Sequence, residues 1–132
     1  MYRYYYTHPR PPMVAAMGNA TAGLAGGVVK NDGKTPPPPR ATGAVHSAEI
    51  EYAMGNLEGN KVFAWTADDH KVSTFMQAYF ANFIKTGDPN GAGLPKWPAI
   101  KGETVPVMHI GLQPKLEQEQ HRGRYLFLDQ QR

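Results

Sequence analysis

The clearest hydrophobic pattern in this sequence lies over residues 67–86. Large apolar residues recur there at every third or fourth position, which is the spacing of one face of an α-helix. The stripe consists of Val72, Phe75, Met76, Tyr79, Phe80, Phe83 and Ile84. Thr66 and Asp69 have the spacing of a capping box at the start, and Gly87 follows Lys85 at the end. The pattern therefore predicts one continuous helix.

An aromatic stretch near the start of the chain predicts a β-strand. Residues 2–7 include four tyrosines, and aromatic side chains favour strands. Successive strand residues point to opposite faces, so the even-numbered tyrosines would share one face. Arg3, Tyr5 and Thr7 would share the other face. The prolines that begin at Pro9 end the strand, because proline cannot donate to a ladder.

Three weaker patterns complete the predicted elements. Residues 47–55 predict a short helix. Residues 105–110 predict a short edge strand, because apolar and β-branched residues are concentrated there. Residues 114–129 predict a final helix that Gly123 weakens in its middle. Both tryptophans, Trp65 and Trp97, are predicted to be packing residues.

Small residues and prolines dominate residues 13–41. Residues 13–24 are compatible with a short helix, and the four prolines of 36–39 favour an extended polyproline segment. We interpret the whole stretch as a flexible insertion or long loop between the aromatic strand and the segments that follow. The rest of residues 1–132 is predicted to belong to one domain.

The predicted helix has more apolar surface than the rest of the chain can cover. Seven large apolar residues represent about 10–20 kcal/mol of gross driving force when buried. A stripe this wide packs on a sheet or a helical layer. The two predicted strands are about a hundred residues apart in the sequence. We therefore expect the sheet in this chain to be incomplete and further protein to shield Phe75, Tyr79 and Phe83.

Composition narrows the function classes. Hydrophobic residues make up 41% of the 132 residues, which is enough for a core. The formal net charge is +3 without a basic cluster among aromatics, so a nucleic acid is not an expected partner. There is no cysteine, and no apolar run is long enough to span a membrane. The first residues do not form a signal peptide. Any export signal would lie upstream, so a cytoplasmic and an exported location both stay open.

Two motifs that suggest ligand binding are rejected. Residues 27–35 resemble a phosphate-binding loop but have five residues between the glycines where four are needed, and Pro36 prevents the required helix. The histidines outside the motif considered next match no metal-ligand spacing. They are His8, His70, His109 and His121. No metal and no cofactor are therefore expected.

Four segments carry a family resemblance. GAVHSAEI, at residues 43–50, places a lone histidine in a turn of small residues with a glutamate three positions later. YFANFIKTGDPNG at 79–91 and LPKWP at 94–98 follow, and YRYYYTH stands at 2–8. In their order along the chain these segments resemble the C-terminal part of type-B carboxylesterases, the para-nitrobenzyl esterase and cholinesterase-like group of α/β-hydrolases. An arbitrary lone histidine would be a loop residue, but the surrounding matches favour a functional one.

The resemblance implies a role for two residues. It implies the C-terminal portion of an α/β-hydrolase fold in which His46 is the base of a Ser-Glu-His triad. Glu49 would support the histidine turn and would not be the triad acid. The nucleophile usually lies in G-x-S-x-G, and neither Ser47 nor Ser73 has that context. No HGGG-type stretch supplies an oxyanion hole. The serine and the acid are therefore expected outside this chain.

These observations give one leading function and two alternatives. The leading function is a fragment of a carboxylic-ester hydrolase that acts on small carboxylic esters together with the remaining N-terminal part of the hydrolase domain. One alternative is a non-catalytic cholinesterase-like module for binding or adhesion. The other is an inactive truncated gene product. The isolated chain is expected to lack activity and to self-associate.

Overall fold

The computed structural model describes residues 1–23, 27–34, 36 and 41–131. Five strands and three α-helices occur in this part of the chain. In chain order they are β1 (Tyr4–Tyr6), β2 (Thr21–Ala22), β3 (Val28–Val29), α1 (Ile50–Met54), α2 (Ala67–Thr86), β4 (Pro106–Ile110), β5 (Lys115–Gln118) and α3 (Arg122–Asp129). Single turns of 3-10 helix lie at Ala15–Met17 and Leu57–Gly59.

A three-stranded sheet has the order β1-β4-β5. β1 pairs parallel with β4, and Tyr5 lies opposite His109. β4 pairs antiparallel with β5 on its other side. The strand predicted over residues 105–110 is therefore present, but its assignment as an edge strand is wrong. The prediction missed the second neighbour, and that neighbour makes β4 the central strand.

The predicted helix over residues 114–129 is also wrong in its first part. Residues Lys115–Gln118 form β5, and α3 begins only at Arg122. Lysine, leucine, glutamate and glutamine have high helix propensity, and this misled the prediction. Pairing with β4 overrides that local preference, because the ladder satisfies backbone groups that β4 would otherwise leave open.

Helix α2 confirms the strongest sequence pattern. It runs from Ala67 to Thr86, and Thr66 and Asp69 form a reciprocal capping box at its start. Gly87 ends it with a φ of 77°, a left-handed conformation that glycine adopts without steric cost. The shorter helix α1 covers Ile50–Met54 and not the whole of 47–55, because a turn occupies residues 46–49.

The core lies between α2, α1 and the sheet. Val72, Met76 and Tyr79 of α2 are fully buried, and Trp97 is 3% exposed, as expected for a packing residue. The far end of the stripe is open, because Phe83 is 49% exposed and Ile84 is 81% exposed. Phe83 is therefore not shielded within this chain, and its shielding by further protein stays a prediction.

Among the described residues 13–23, the short helix that was considered for 13–24 is absent. The structure has the 3-10 turn Ala15–Met17 and a two-stranded antiparallel pair of β2 with β3. Met13 forms a β-bridge with Phe63 where the stretch begins. Of the expected polyproline segment, only Pro36 belongs to the described residues, so that prediction lies outside them.

Candidate active site

His46 lies on a tight turn that Ala48, a residue buried in the core, closes. The amide of Ala48 donates to the carbonyl of Val45 at 3.1 Å, which closes a turn around His46 and Ser47. Ala48 is fully buried, whereas His46 is exposed. Among the described residues, none forms a hydrogen bond with the His46 ring.

Ser47 gives this turn an unusual backbone. Its φ is 59°, and no other non-glycine residue in the described ranges has a positive φ. For a residue with a side chain this conformation costs about 1–3 kcal/mol, and such residues concentrate at functional sites. The neighbouring structure must hold Ser47 in place, since the isolated dipeptide would relax.

We expect substitutions of Ser47 to separate by their tolerance of positive φ. Ser47→Val should lower the free energy of unfolding by about 1–2 kcal/mol, because a β-branched side chain clashes in the left-handed region. Ser47→Gly should stay within about 0.5 kcal/mol of the parent, since relief of strain offsets the greater freedom of the unfolded chain. Urea unfolding measures both variants. Equal changes in the free energy of unfolding for the two variants would contradict the claim that the backbone of Ser47 is strained.

Arg10 connects the histidine turn to the segment that follows β1. Its Nη2 donates to the carbonyl oxygen of Ser47 at 3.1 Å and to Oε2 of Glu51 at 2.6 Å. The side-chain amide of Asn60 (Nδ2) donates to the other carboxylate oxygen of Glu51, Oε1, at 2.9 Å. Burial acts to raise the pKa of Glu51, but the hydrogen bonds from Asn60 and Arg10 outweigh it and hold that pKa below its usual value. Glu51 is therefore an ionised partner for Arg10 at neutral pH.

Glu49 stands between the turn and α1. It is the N-cap residue of α1, with helical backbone angles and no side-chain cap bond. Tyr4 has a raised pKa, first because of burial and second because the Glu49 charge is near. Within the described residues, no hydrogen bond joins Glu49 to His46.

A buried polar network that the sequence analysis missed supports the same region. Asp69 is 1% exposed and accepts from the amide and hydroxyl of Thr66 at 2.7 and 2.6 Å. The hydroxyl of Tyr52 donates to it at 2.7 Å. Nε2 of His8 lies 2.9 Å away and must carry the hydrogen, because an ionised carboxylate only accepts. The carboxylate thus joins α1, α2 and the end of β1.

The network keeps Asp69 charged and Tyr52 neutral. Burial acts to raise the pKa of Asp69, but the bonds from Thr66, Tyr52 and His8 outweigh it and lower that pKa. Burial, and then the bond to Asp69, strongly raise the pKa of Tyr52. The spacing to Thr66 in the sequence had identified Asp69 as a capping-box residue. Nothing in the sequence revealed that His8 and Tyr52 would reach it.

Two surface concavities lie near β1, and His46 lines neither. One is polar, about 390 Å³, and is bordered by Arg3, His109, Glu117 and Tyr125 among others. The other is apolar and about 260 Å³. We call it the aromatic groove, and Tyr2, Tyr4, Phe80, Phe83, Ile84 and Trp97 contribute to it. Neither of these two concavities is therefore a substrate pocket around His46.

Two other features are absent from the described residues. No three histidine, aspartate or glutamate side chains there are grouped as ligands for a metal ion. In that same part of the chain, no helix combines the length and apolar character needed to cross a bilayer.

Known sequences provide the first comparison. A sequence profile of the carboxylesterase family matches residues 1–128. Carboxylesterase 5A of Canis lupus familiaris is 48% identical over 60 residues, which cover 42% of this chain and 10% of that protein. Human cocaine esterase is 34% identical over 71 residues, which cover 54% of this chain and 12% of that protein. The similarity therefore spans a small share of each relative.

Solved structures give the same result for the fold. A PNB esterase aligns with a TM-score of 0.57 and 25% identity over 70% of this chain and 19% of its own. An esterase from Clostridium hathewayi, described as able to hydrolyse aliphatic aromatic polyesters, aligns with a TM-score of 0.55 and 25% identity over 64% and 17%. The three-stranded sheet and its helices are thus a portion of an α/β-hydrolase fold. With the profile match extending through nearly the whole sequence, the chain belongs to the carboxylesterase family.

Proposed function

We propose that this chain supplies the general base of a serine carboxylesterase, and that His46 is that base. The observation that supports the proposal most strongly is that a fixed turn carries an exposed His46. Its turn is anchored at Ala48, strained at Ser47, and joined by Arg10 to the segment after the carboxyl end of β1. In open α/β sheets, the carboxyl ends of parallel strands are where ligands bind.

The proposed chemistry assigns one proton-transfer role to His46. A neutral imidazole takes the proton of a serine hydroxyl while the serine oxygen attacks the ester carbonyl carbon. The imidazolium then returns the proton to the departing alkoxide, and an acyl-serine forms. Water attacks the acyl-serine in the second half, with His46 again accepting and returning the proton. Carboxylic acid and alcohol are the products.

Neither serine of the chain suits the nucleophile's role. Ser73 is buried in α2 and donates to the carbonyl of Tyr52 at 2.7 Å. Ser47 directly follows His46 in the strained turn, not at a strand-to-helix elbow. We therefore place the nucleophile, the triad acid and the oxyanion donors on the remaining N-terminal part of the hydrolase domain.

That remaining part is also our proposed occupant of the aromatic groove. The chain covers less than a fifth of the esterases it matches, so most of the fold lies outside it. The groove exposes Phe83 and Ile84 beside Tyr2 and Tyr4. Parallel strands are normally covered on both faces, and no described strand pairs with the outer edge of β1. An apolar face beside an open strand edge fits a missing continuation of the same sheet.

We expect the isolated chain to hydrolyse no ester above background. An activated serine requires a base, an orienting acid and oxyanion donors, and only the base is assigned to this chain. The purified chain should also self-associate through its exposed aromatic groove. A chromogenic acyl-ester assay and a light-scattering mass test both statements.

Complementation provides the positive arm of the experiment. Adding an N-terminal carboxylesterase segment with G-x-S-x-G, expressed together with this chain, should produce turnover and reduce self-association. Serine-probe labelling of Ser47 or Ser73 with real turnover, from a monomer, would contradict the proposal. Complex formation without turnover would favour the binding-module alternative.

A further inference from the structure

The contacts of Arg10 raise the question of what holds the strained histidine turn. The Arg10 side chain is 9% exposed and its Glu51 partner is 15% exposed, so this ion pair is largely shielded from water. The guanidinium carbon lies 5.1 Å from the centre of the Phe63 ring. A charged pair this deep is maintained only with good geometry and further hydrogen bonds, and Asn60 provides one of them.

The backbone that carries Arg10 is itself restrained. Pro9 and Pro11 flank it, and each proline fixes its own φ and restricts the residue before it. The carbonyl of Pro12 accepts from the amide of Ala64 at 2.9 Å, which ties the segment to the chain around Phe63. Arg10 thus extends from a rigid segment toward the turn.

One guanidinium nitrogen then contacts both parts of the histidine segment. Nη2 of Arg10 donates to the carbonyl oxygen of Ser47, the residue with positive φ, and to Glu51 within α1. A donor on the Ser47 carbonyl opposes rotation of the peptide that follows it. A bond to α1 keeps the helix at a constant distance from the turn. Both effects restrain the residue next to His46.

We propose that Arg10, paired with Glu51, is a positioning residue for the His46 turn, which it holds in the orientation needed for proton transfer. The proposal rests on the proposed function, because it gives His46 a catalytic task. Arg10 forms no hydrogen bond with His46 in the described part of the chain. It acts through the carbonyl of Ser47.

The first experiment measures the turn itself by amide hydrogen exchange of the full chain. Arg10→Met keeps an unbranched apolar stem beside Phe63 and removes the donors. The Ala48 amide, which closes the turn, should exchange at least about tenfold faster relative to the Met76 amide inside α2. Arg3→Met is the matched control, since Arg3 forms a surface ion pair with Glu119 at 3.0 Å. This control should leave the ratio of the Ala48 exchange rate to the Met76 exchange rate unchanged.

A second variant guards against loss of folding. Arg10→Met alone leaves Glu51 charged and unpaired, which can unfold the chain. The double variant Arg10→Met with Glu51→Gln removes that charge and retains an acceptor for Asn60. It should show the same faster exchange at Ala48. An unchanged ratio, or equal acceleration of Ala48 and Met76, overturns the positioning role.

The second experiment measures catalysis in the complemented esterase. We expect the double variant to lower kcat by about tenfold or more with KM within about threefold, because misplacement of a catalytic group affects the reaction step. If the Ala48 amide exchanges faster but kcat is unchanged, the inference is overturned. His46→Ala in the same assembly separates the two proposals: if it leaves turnover intact, the assignment of His46 itself is wrong, whatever Arg10 does.

Discussion

His46→Ala should lower ester turnover of the complemented esterase by about 10³-fold or more. Without an imidazole, the serine hydroxyl has no base to accept its proton, and the departing alkoxide has no acid. The loss should fall mainly on kcat, because substrate binding does not depend on the missing proton acceptor. Single-turnover kinetics with a chromogenic ester separates acylation from binding.

His70→Ala is the matched control for this experiment. Its side chain is 52% exposed and lies 3.3 Å from Glu58 at the surface. Removing it tests whether loss of any exposed histidine reduces turnover, and we expect a change of less than about twofold. A decrease of less than tenfold for His46→Ala would show that another group is the base.

Asp69→Ala should lower the free energy of unfolding by about 3–5 kcal/mol. The substitution removes the Asp69 half of the capping box and leaves the Tyr52 hydroxyl, the His8 ring and the Thr66 amide without their acceptor. Buried donors without partners are costly in addition to the lost bonds. Urea unfolding followed by circular dichroism measures the change.

Asp68→Ala is the matched control, since it replaces the neighbouring exposed aspartate of the same helical turn. That variant loses only a favourable interaction with the helix dipole and should cost less than about 1 kcal/mol. Similar costs for Asp68 and Asp69 would contradict the network's importance.

The same network predicts an acid dependence of stability. Asp69 has a lowered pKa in the folded chain, so its ionised form is favoured by folding. Its stabilisation is complete above the unfolded pKa of about 3.9 and is lost as the pH falls through the lower folded pKa. Asp69→Asn should be less stable at neutral pH and should lose this part of the acid dependence. If the free energy of unfolding depends on pH identically in the parent and in Asp69→Asn, ionisation of Asp69 does not contribute to stability as predicted.

Elements governed by neighbouring residues were predictable from the sequence. Helix α2 has its cap, its apolar period and its terminal glycine within one continuous segment, so its bounds follow from local chemistry. The same holds for the core of the aromatic strand and for the packing of Trp97. The histidine motif was identified by family resemblance, and its geometry shows an anchored turn with an exposed ring. The catalytic role of His46 and the supporting role of Glu49 stay predictions.

Tertiary contacts decided the remaining features. Residues 115–118 have helix-forming side chains, yet β4 recruits them as its second neighbour because unpaired strand groups need partners. Asp69 meets His8 and Arg10 meets Glu51 across about 61 and 41 residues of sequence. Periodicity cannot reveal such pairs, since no local rule relates residues that far apart. The sequence by itself thus determined the helix, the strand core and the motif. Only the packing of β1 against α1 and α2 decided which polar side chains hold the histidine turn, because a buried charge depends on every element that surrounds it.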